Sequence, residues 1–269
     1  MTRISKRQLE TLDRKLSDRD KAILRSLQSC KYLTTIQIKR LHFTDNATPK
    51  AAHLAANRGL SKLQDYGLIS ALNRRIGGAQ YGSSSYIWLL SEVGDRLLNL
   101  NRTEHAPRKR FFEPSSAFLL HTLAVSEIYL QTIEICERHD LKLVKTELEP
   151  NCWRNYTGED GKPTTLRPDM FAVTSNEEYE NNWFIEMDLD TESPCVVLEK
   201  CQRYVYYYKT GTEQKKTGVF PLVVWVVPSV ARKESLQRNI ARSRELKIKN
   251  AFLVITPDEL EGLIQKGGP

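Results

Sequence analysis

Three acidic residues stand where strand-like runs begin or end. Asp169 follows Pro168 ahead of the apolar run 170–173, while Glu186 and Asp188, one residue apart, close the apolar run 183–187. Residues two positions apart on a strand share a face, so Glu186 and Asp188 project together. If the runs at 170–173 and 183–187 pair, the three carboxylates converge on a site for a hard divalent cation, magnesium or manganese, which takes oxygen ligands and retains several waters. Such an ion activates water and stabilises a pentavalent phosphate. The plainer alternative is a set of strand-end carboxylates that are solvated or salt-bridged to Arg167 and Lys200.

The elements that must position these groups read as α/β. A helical period runs over 118–138 through Leu119, Leu123, Val125, Ile128, Leu130, Ile133 and Ile135, with Ser115 or Ser116 as its cap. Strand-like runs follow at 141–148, 170–173, 183–187, 221–227 and 251–255, with helices over 196–208 and near 232–246. The sheet they form is expected to be mixed. On the 196–208 helix, Val197, Leu198, Cys201 and Val205 mark a core face, so Lys200, Gln202, Tyr204 and Tyr206 have a packing reading. The cluster from Tyr204 to Tyr208 has a second one, stacking on unpaired bases.

The chain before this domain has a different pattern. Ser17 caps a helix carrying Ile23, Leu24 and Leu27, with Asp20 three residues on, and Thr34 or Thr35 caps a short second helix with Ile36, Ile38 and Leu41. A third helix from about residue 50 to 66 buries Ala52, Ala56, Leu60 and Leu63. It leaves His53, Asn57, Arg58, Lys62 and Gln64 on other faces, and Gly67 stands where a helix end wants a left-handed residue. Two β-like runs, 69–76 and 86–90, then flank a basic tip with Arg74, Arg75, Gly77 and Gly78. The order resembles a winged helix-turn-helix, in which the third helix enters the major groove and the wing tracks phosphates. That predicts DNA contacts from His53, Asn57, Arg58, Lys62, Arg74 and Arg75. A small α/β core with a solvated charged face is the competing reading.

A closing helix at 91–100 and a basic segment at 101–114, with Arg108, Lys109 and Arg110, set the expected organisation: domain 17–100, linker 101–114, domain 115–269. Lys and Arg outnumber Asp and Glu by 40 to 33 in the 269 residues, for a net charge of +7, which favours polyanionic partners without identifying one. Five cysteines without a CxxC pair read as reduced structural thiols. The five histidines have no ligand spacing for zinc, and no phosphate-cradling glycine motif occurs, which argues against an ATPase or a dinucleotide enzyme. No apolar run approaches the roughly 20 residues that span a bilayer, so a cytoplasmic protein without membrane insertion is expected. A homodimer is one option, since winged-helix proteins often dimerise on symmetric sites.

Arg167-Pro168-Asp169, a spacer, and Glu186-Met187-Asp188 together resemble the PD-(D/E)xK nuclease core. The resemblance implies a restriction-endonuclease-like domain and gives catalytic roles to Asp169 and Glu186, with Glu127 on the preceding long helix and Gln202 and Tyr206 as a QxxxY helix. Asp188 stands where that family has its lysine, and Lys200 on the following helix is a candidate for a migrated one. The succession of winged helix and α/β domain, with Glu-x-Asp-x-x-Thr-Glu at 186–192 and Lys200-x-x-x-Tyr204, is also similar to the replication-relaxation family of bacterial plasmids and conjugative elements. That implies work on element DNA in replication, relaxation or mobilisation, beside replication or conjugation proteins. Two functions are compatible with the residues: a magnesium- or manganese-dependent nicking endonuclease, or a DNA-binding regulator whose nuclease-like domain no longer cuts.

Overall fold

The structure, a computed structural model, describes residues 4–72, 76–78, 82–100, 113–158, 161–246 and 251–268. The chain divides into two compact units, residues 1–130 and 131–269.

The first unit contains α1 (Lys6–Lys15), α2 (Asp18–Cys30), β1 (Tyr32–Thr34), α3 (Thr35–His42), α4 (Pro49–Asp65), β2 (Ile69–Ala71), β3 (Ile76–Gly78), β4 (Gly82–Ser85), β5 (Ile87–Leu90) and α5 (Glu92–Leu98). Local chemistry sets its boundaries. Ser17 accepts from the Asp20 N–H while Asp20 accepts from the Ser17 N–H, and Thr34 and Gln37 do the same at the start of α3. α4 starts one residue earlier than its apolar period suggests, because Thr48 caps it and Pro49 fills the first turn, where a missing N–H costs nothing. Gly67 adopts φ +67°, the left-handed turn that lets the chain leave α4 for β2. The sheet order is β1-β5-β2, antiparallel throughout, with β3 and β4 as a separate hairpin. This is a winged helix-turn-helix: α2, α3 and α4 followed by a wing.

Some expectations change here. α1, with Leu9 buried, and the three-residue β1 are elements whose sequences are too polar or too short to announce themselves. Gly77 and Gly78, expected at the wing tip, belong to β3, and β4 pairs with it. Arg74, Arg75 and the Arg108 to Arg110 run lie outside the described residues. The division between units falls inside the long helix α6 (Ser116–Arg138) instead of at 101–114. The physical reason is that Leu119 and Leu123 of α6 join Tyr32, Ile87 and Leu89 in one apolar cluster, and Ser126 donates to the Tyr32 carbonyl.

The second unit takes the rest of α6 and adds β6 (Lys142–Leu148), β7 (Arg154–Thr157), β8 (Pro163–Leu166), β9 (Met170–Ser175), β10 (Glu180–Met187), α7 (Pro194–Thr210), α8 (Thr212–Thr217), β11 (Leu222–Val226), α9 (Val230–Arg242), β12 (Phe252–Ile255) and α10 (Leu260–Lys266). Its five-stranded sheet runs β12-β11-β10-β9-β6. β10, β11 and β12 are parallel and joined through α7 and α9, whereas β6, β9 and β10 are antiparallel. The sheet is therefore mixed, as the alternation of runs implies. Phe171 and Val173 of β9, Phe184 of β10 and Val223 and Trp225 of β11 pack against Val197, Cys201, Tyr204, Val205 and Tyr207 of α7. The β7–β8 hairpin has a polar alternation that sequence reading missed. Among the described residues, no helix is long and apolar enough to cross a membrane.

Candidate functional site

Two sets of residues carry chemistry, one in each unit. In the first unit α4 separates its faces cleanly. Ala52, Ala56, Leu60 and Leu63 are buried, and His53, Asn57 and Arg58 are exposed. Gly59 lets the helix approach Phe43: a Cβ there would meet the Phe43 ring at 3.3 Å. Lys62 has a different duty from its neighbours. Its ammonium bonds the Asp20 carboxylate at 2.5 Å, so a charge predicted to face DNA ties α4 to the start of α2. Burial would raise the Asp20 carboxyl, but hydrogen bonds from Lys62 and Ser17 outweigh it and hold the group below its ordinary range. Glu127, assigned to the acid cluster by resemblance, belongs to the first unit. It pairs with Arg40 at 2.5 Å and accepts from the Gln37 amide at 3.1 Å, fastening α6 to α3.

In the second unit the chain delivers Asp169 through a fixed bend. The Cys152 thiol donates to the Pro168 carbonyl at 2.9 Å, and Arg167 lies over the Trp153 ring at 4.8 Å. Asp169 then enters the β9–β10 ladder: its N–H donates to the Ile185 carbonyl at 3.1 Å and its carboxylate accepts the Met187 N–H at 2.7 Å. Glu186 shares its strand face with Phe184 and so points at α7, where the Tyr204 hydroxyl donates to it at 2.5 Å. Burial is the main cause that pushes the Glu186 carboxyl well above the usual range. The Asp169 charge adds to the rise, while Lys200 and Tyr204 oppose it.

Lys200 and Tyr204, one helical turn apart, each bond an acid, Tyr204 meeting Glu186 and Lys200 meeting Glu192. The Lys200 ammonium bonds Glu192 at 3.0 Å and lies 5.7 Å from the Trp225 ring centre. Burial works against its charge, but Glu186, Glu192 and Asp169 together hold its pKa above the ordinary value. The second oxygen of Glu192 is buried with no hydrogen-bond partner among the described residues.

Asp188 is turned to another use. Arg232 of α9 donates through Nε to its Oδ2 at 2.7 Å, and the Asp190 N–H donates to its Oδ1 at 2.9 Å. The same guanidinium donates to the Glu192 carbonyl at 2.7 Å. Asp188 is thus a buried anchor for the turn that follows β10, and its carboxylate is already engaged. Among the described residues, no group of three or more His, Cys, Asp or Glu is gathered as a metal-holding set. Gln202 and Tyr206 turn away from the acids: the Gln202 amide bonds Glu245, and Tyr206 is exposed beside Lys209. Tyr204, read from sequence chiefly as packing, is the tyrosine that reaches Glu186. Its signal was the four-residue spacing from Lys200.

The family model described as replication-relaxation matches residues 24–223, which run from α2 into β11. The chain belongs to the replication-relaxation family. The matched span holds α4, Asp169, Glu186, Asp188, Lys200 and Tyr204, and leaves Arg232 of α9 beyond its end. No curated protein matches the chain. Among solved structures, Bacillus subtilis PadR in complex with operator DNA is similar at 22% identity and a TM-score of 0.24, over 45% of this chain and 70% of that one.

Proposed function

We propose that this member of the replication-relaxation family is a DNA-binding protein that engages duplex DNA of a plasmid or mobile element through α4 and acts in its replication, relaxation or mobilisation. The observation that carries the reading is the division of α4, with its apolar row buried and His53, Asn57 and Arg58 exposed together on the third helix of a winged helix-turn-helix. Arg58 supplies the charge for a phosphate or a guanine edge, and Asn57 and His53 supply hydrogen bonds to neighbouring groups. The test is fluorescence anisotropy with duplex fragments of a host element across a salt series. Replacing His53, Asn57 and Arg58 together by alanine should lower affinity by at least about tenfold. Undiminished binding by that variant would remove α4 from the interface.

A second activity is favoured by one feature: Asp169, which accepts the Met187 N–H, and Glu186, which accepts from Tyr204, meet at the end of β10, with Lys200 one helical turn from Tyr204. Asp169 and Glu186 are the residues that would hold magnesium or manganese, which binds through one or two carboxylates and waters. The bound ion would supply an activated water and charge stabilisation at phosphate. Lys200 stands ready to meet negative charge developing on the phosphate, and Tyr204 orients the Glu186 carboxylate. Nicking of supercoiled plasmid with magnesium or manganese, absent in EDTA and in Asp169→Ala, Glu186→Ala and Lys200→Ala variants that still bind DNA, is the expected result. A chain that binds DNA but nicks with neither ion is a regulator or accessory factor with a non-catalytic second unit.

A further inference from the structure

The outer face of α7 takes no part in binding Glu186 and sets two part-exposed tyrosines beside cations. α7 turns Tyr204 and Tyr207 into the core and leaves Tyr206 and Tyr208 37% and 39% exposed. With Gln202, Lys209, Arg244 and Glu245 they line a cleft of about 530 Å³ within the second unit. That volume falls inside the roughly 300–1,000 Å³ range of small-ligand sites.

The cleft is held in shape from beneath. Tyr208 stands edge-on to Phe220 at 5.2 Å and 88°, and Phe220 packs in turn on Tyr207 and Phe184. Lys209 carries its ammonium 5.5 Å from the centre of the Tyr206 ring. The carboxylate of Glu245 is engaged by the Gln202 amide, so the two cations of the cleft, Lys209 and Arg244, face one acid that is already hydrogen-bonded.

We propose that this cleft binds single-stranded DNA, with an unpaired base stacked on Tyr206 or Tyr208 and the adjoining phosphate met by Lys209 or Arg244. Exposed aromatic rings interleaved with cations make a sequence-tolerant platform, because every base has a π-face and every nucleotide a phosphate. Duplex DNA does not meet that chemistry, since its base faces are covered by neighbouring pairs. The cleft therefore takes the strand that replication or nicking exposes. It is a separate site from α4 and does not depend on α4 binding duplex.

The experiment uses the full chain and fluorescein-labelled oligothymidine, followed by anisotropy beside a duplex of element DNA. The joint Tyr206→Ala, Tyr208→Ala variant should bind oligothymidine at least about tenfold more weakly, while its duplex affinity and thermal midpoint stay as in the parent. Tyr206→Phe with Tyr208→Phe should keep single-strand binding, because stacking needs the ring and not the hydroxyl. Lys209→Ala with Arg244→Ala should flatten the salt dependence for the single strand by roughly 0.7 in log–log slope, the value for one lost phosphate contact. The proposal is overturned if the alanine pair binds oligothymidine like the parent. It is equally overturned if His53→Ala, Asn57→Ala and Arg58→Ala together remove single-strand binding, which would place the strand on the winged helix.

Discussion

The two units use the same ion-pair chemistry with different access to water. In the first, Asp20 and Lys62 join α2 to α4, the lysine side chain being 38% exposed and the aspartate 8%. In the second, Asp188 and Arg232 join the end of β10 to α9 with side chains 0% and 7% exposed. Water shares the charge of Lys62 but reaches neither partner of the second pair, so the first is the weaker fastening and the second the stronger. Depth also decides what the remaining polar groups can do. The exposed row of α4 is free to meet a ligand by diffusion, whereas Glu186 is held by Tyr204 in a core position where burial resists its ionisation.

The comparison is tested most severely at Arg232. Arg232→Ala leaves Asp188 buried without its counter-charge and should cost about 3–5 kcal/mol in urea unfolding of the second unit. Replacing both partners, Asp188→Leu with Arg232→Met, should return much of that loss, because no charge is then stranded. A small effect of the single change would mean that water reaches Asp188 and that depth is not what separates the pairs. The next largest effect belongs to Tyr204→Phe, which removes the hydroxyl donor to Glu186 and should cost about 1–3 kcal/mol in the same measurement.

These contrasts explain what the sequence revealed. The caps at Ser17 and Thr34, the apolar row of α4 and the turn at Gly67 are local, and each lies within a few residues of the partner that defines it. The apolar runs of β9, β10 and β11 are legible for the same reason. The pairing of Asp188 was not legible because its partner is 44 positions away in the chain. Nothing in Glu186-Met187-Asp188 distinguishes a metal ligand from the anchor of an arginine. Gln202 and Tyr206 were misplaced by helix phase: Tyr204 and Tyr207 both face the core, which rotates Gln202 and Tyr206 toward solvent. Glu127 was drawn toward the acid cluster by resemblance, while Arg40 and Gln37 claim it in the structure.

Smaller effects are expected inside the first unit. Lys62→Ala should lower stability by about 1–2 kcal/mol, since it leaves the buried Asp20 carboxylate with its Ser17 bonds alone, and should change duplex affinity little because that charge is already engaged by Asp20. Arg58→Ala should do the reverse, leaving the unfolding transition in place and weakening duplex binding. If Lys62→Ala reduces the salt slope of duplex binding by about one, Lys62 leaves Asp20 for a phosphate in the complex.

The mildest effect belongs to His42, which bonds the Ser26 hydroxyl at 2.9 Å at the end of α3. Burial, aided by the positive charge of Arg19, lowers its pKa to about 4 from the ordinary 6.5. Between those values the unfolded chain carries a proton that the folded unit refuses, so stability is full above pH 6.5 and declines as pH falls toward 4. Asp20, whose carboxyl lies below its ordinary 3.8, gives way only at lower pH, which leaves the window between 4 and 6.5 to the imidazole. Hydrogen exchange of α2 and α3 amides should therefore quicken, after correction for intrinsic rates, as pH falls through this window. His42→Asn should flatten that response while exchange in the strands of the second unit stays unchanged. A parent protein with no such slope would mean that water reaches the ring, and His42 would then rank with the exposed groups of α4 instead of the buried ones.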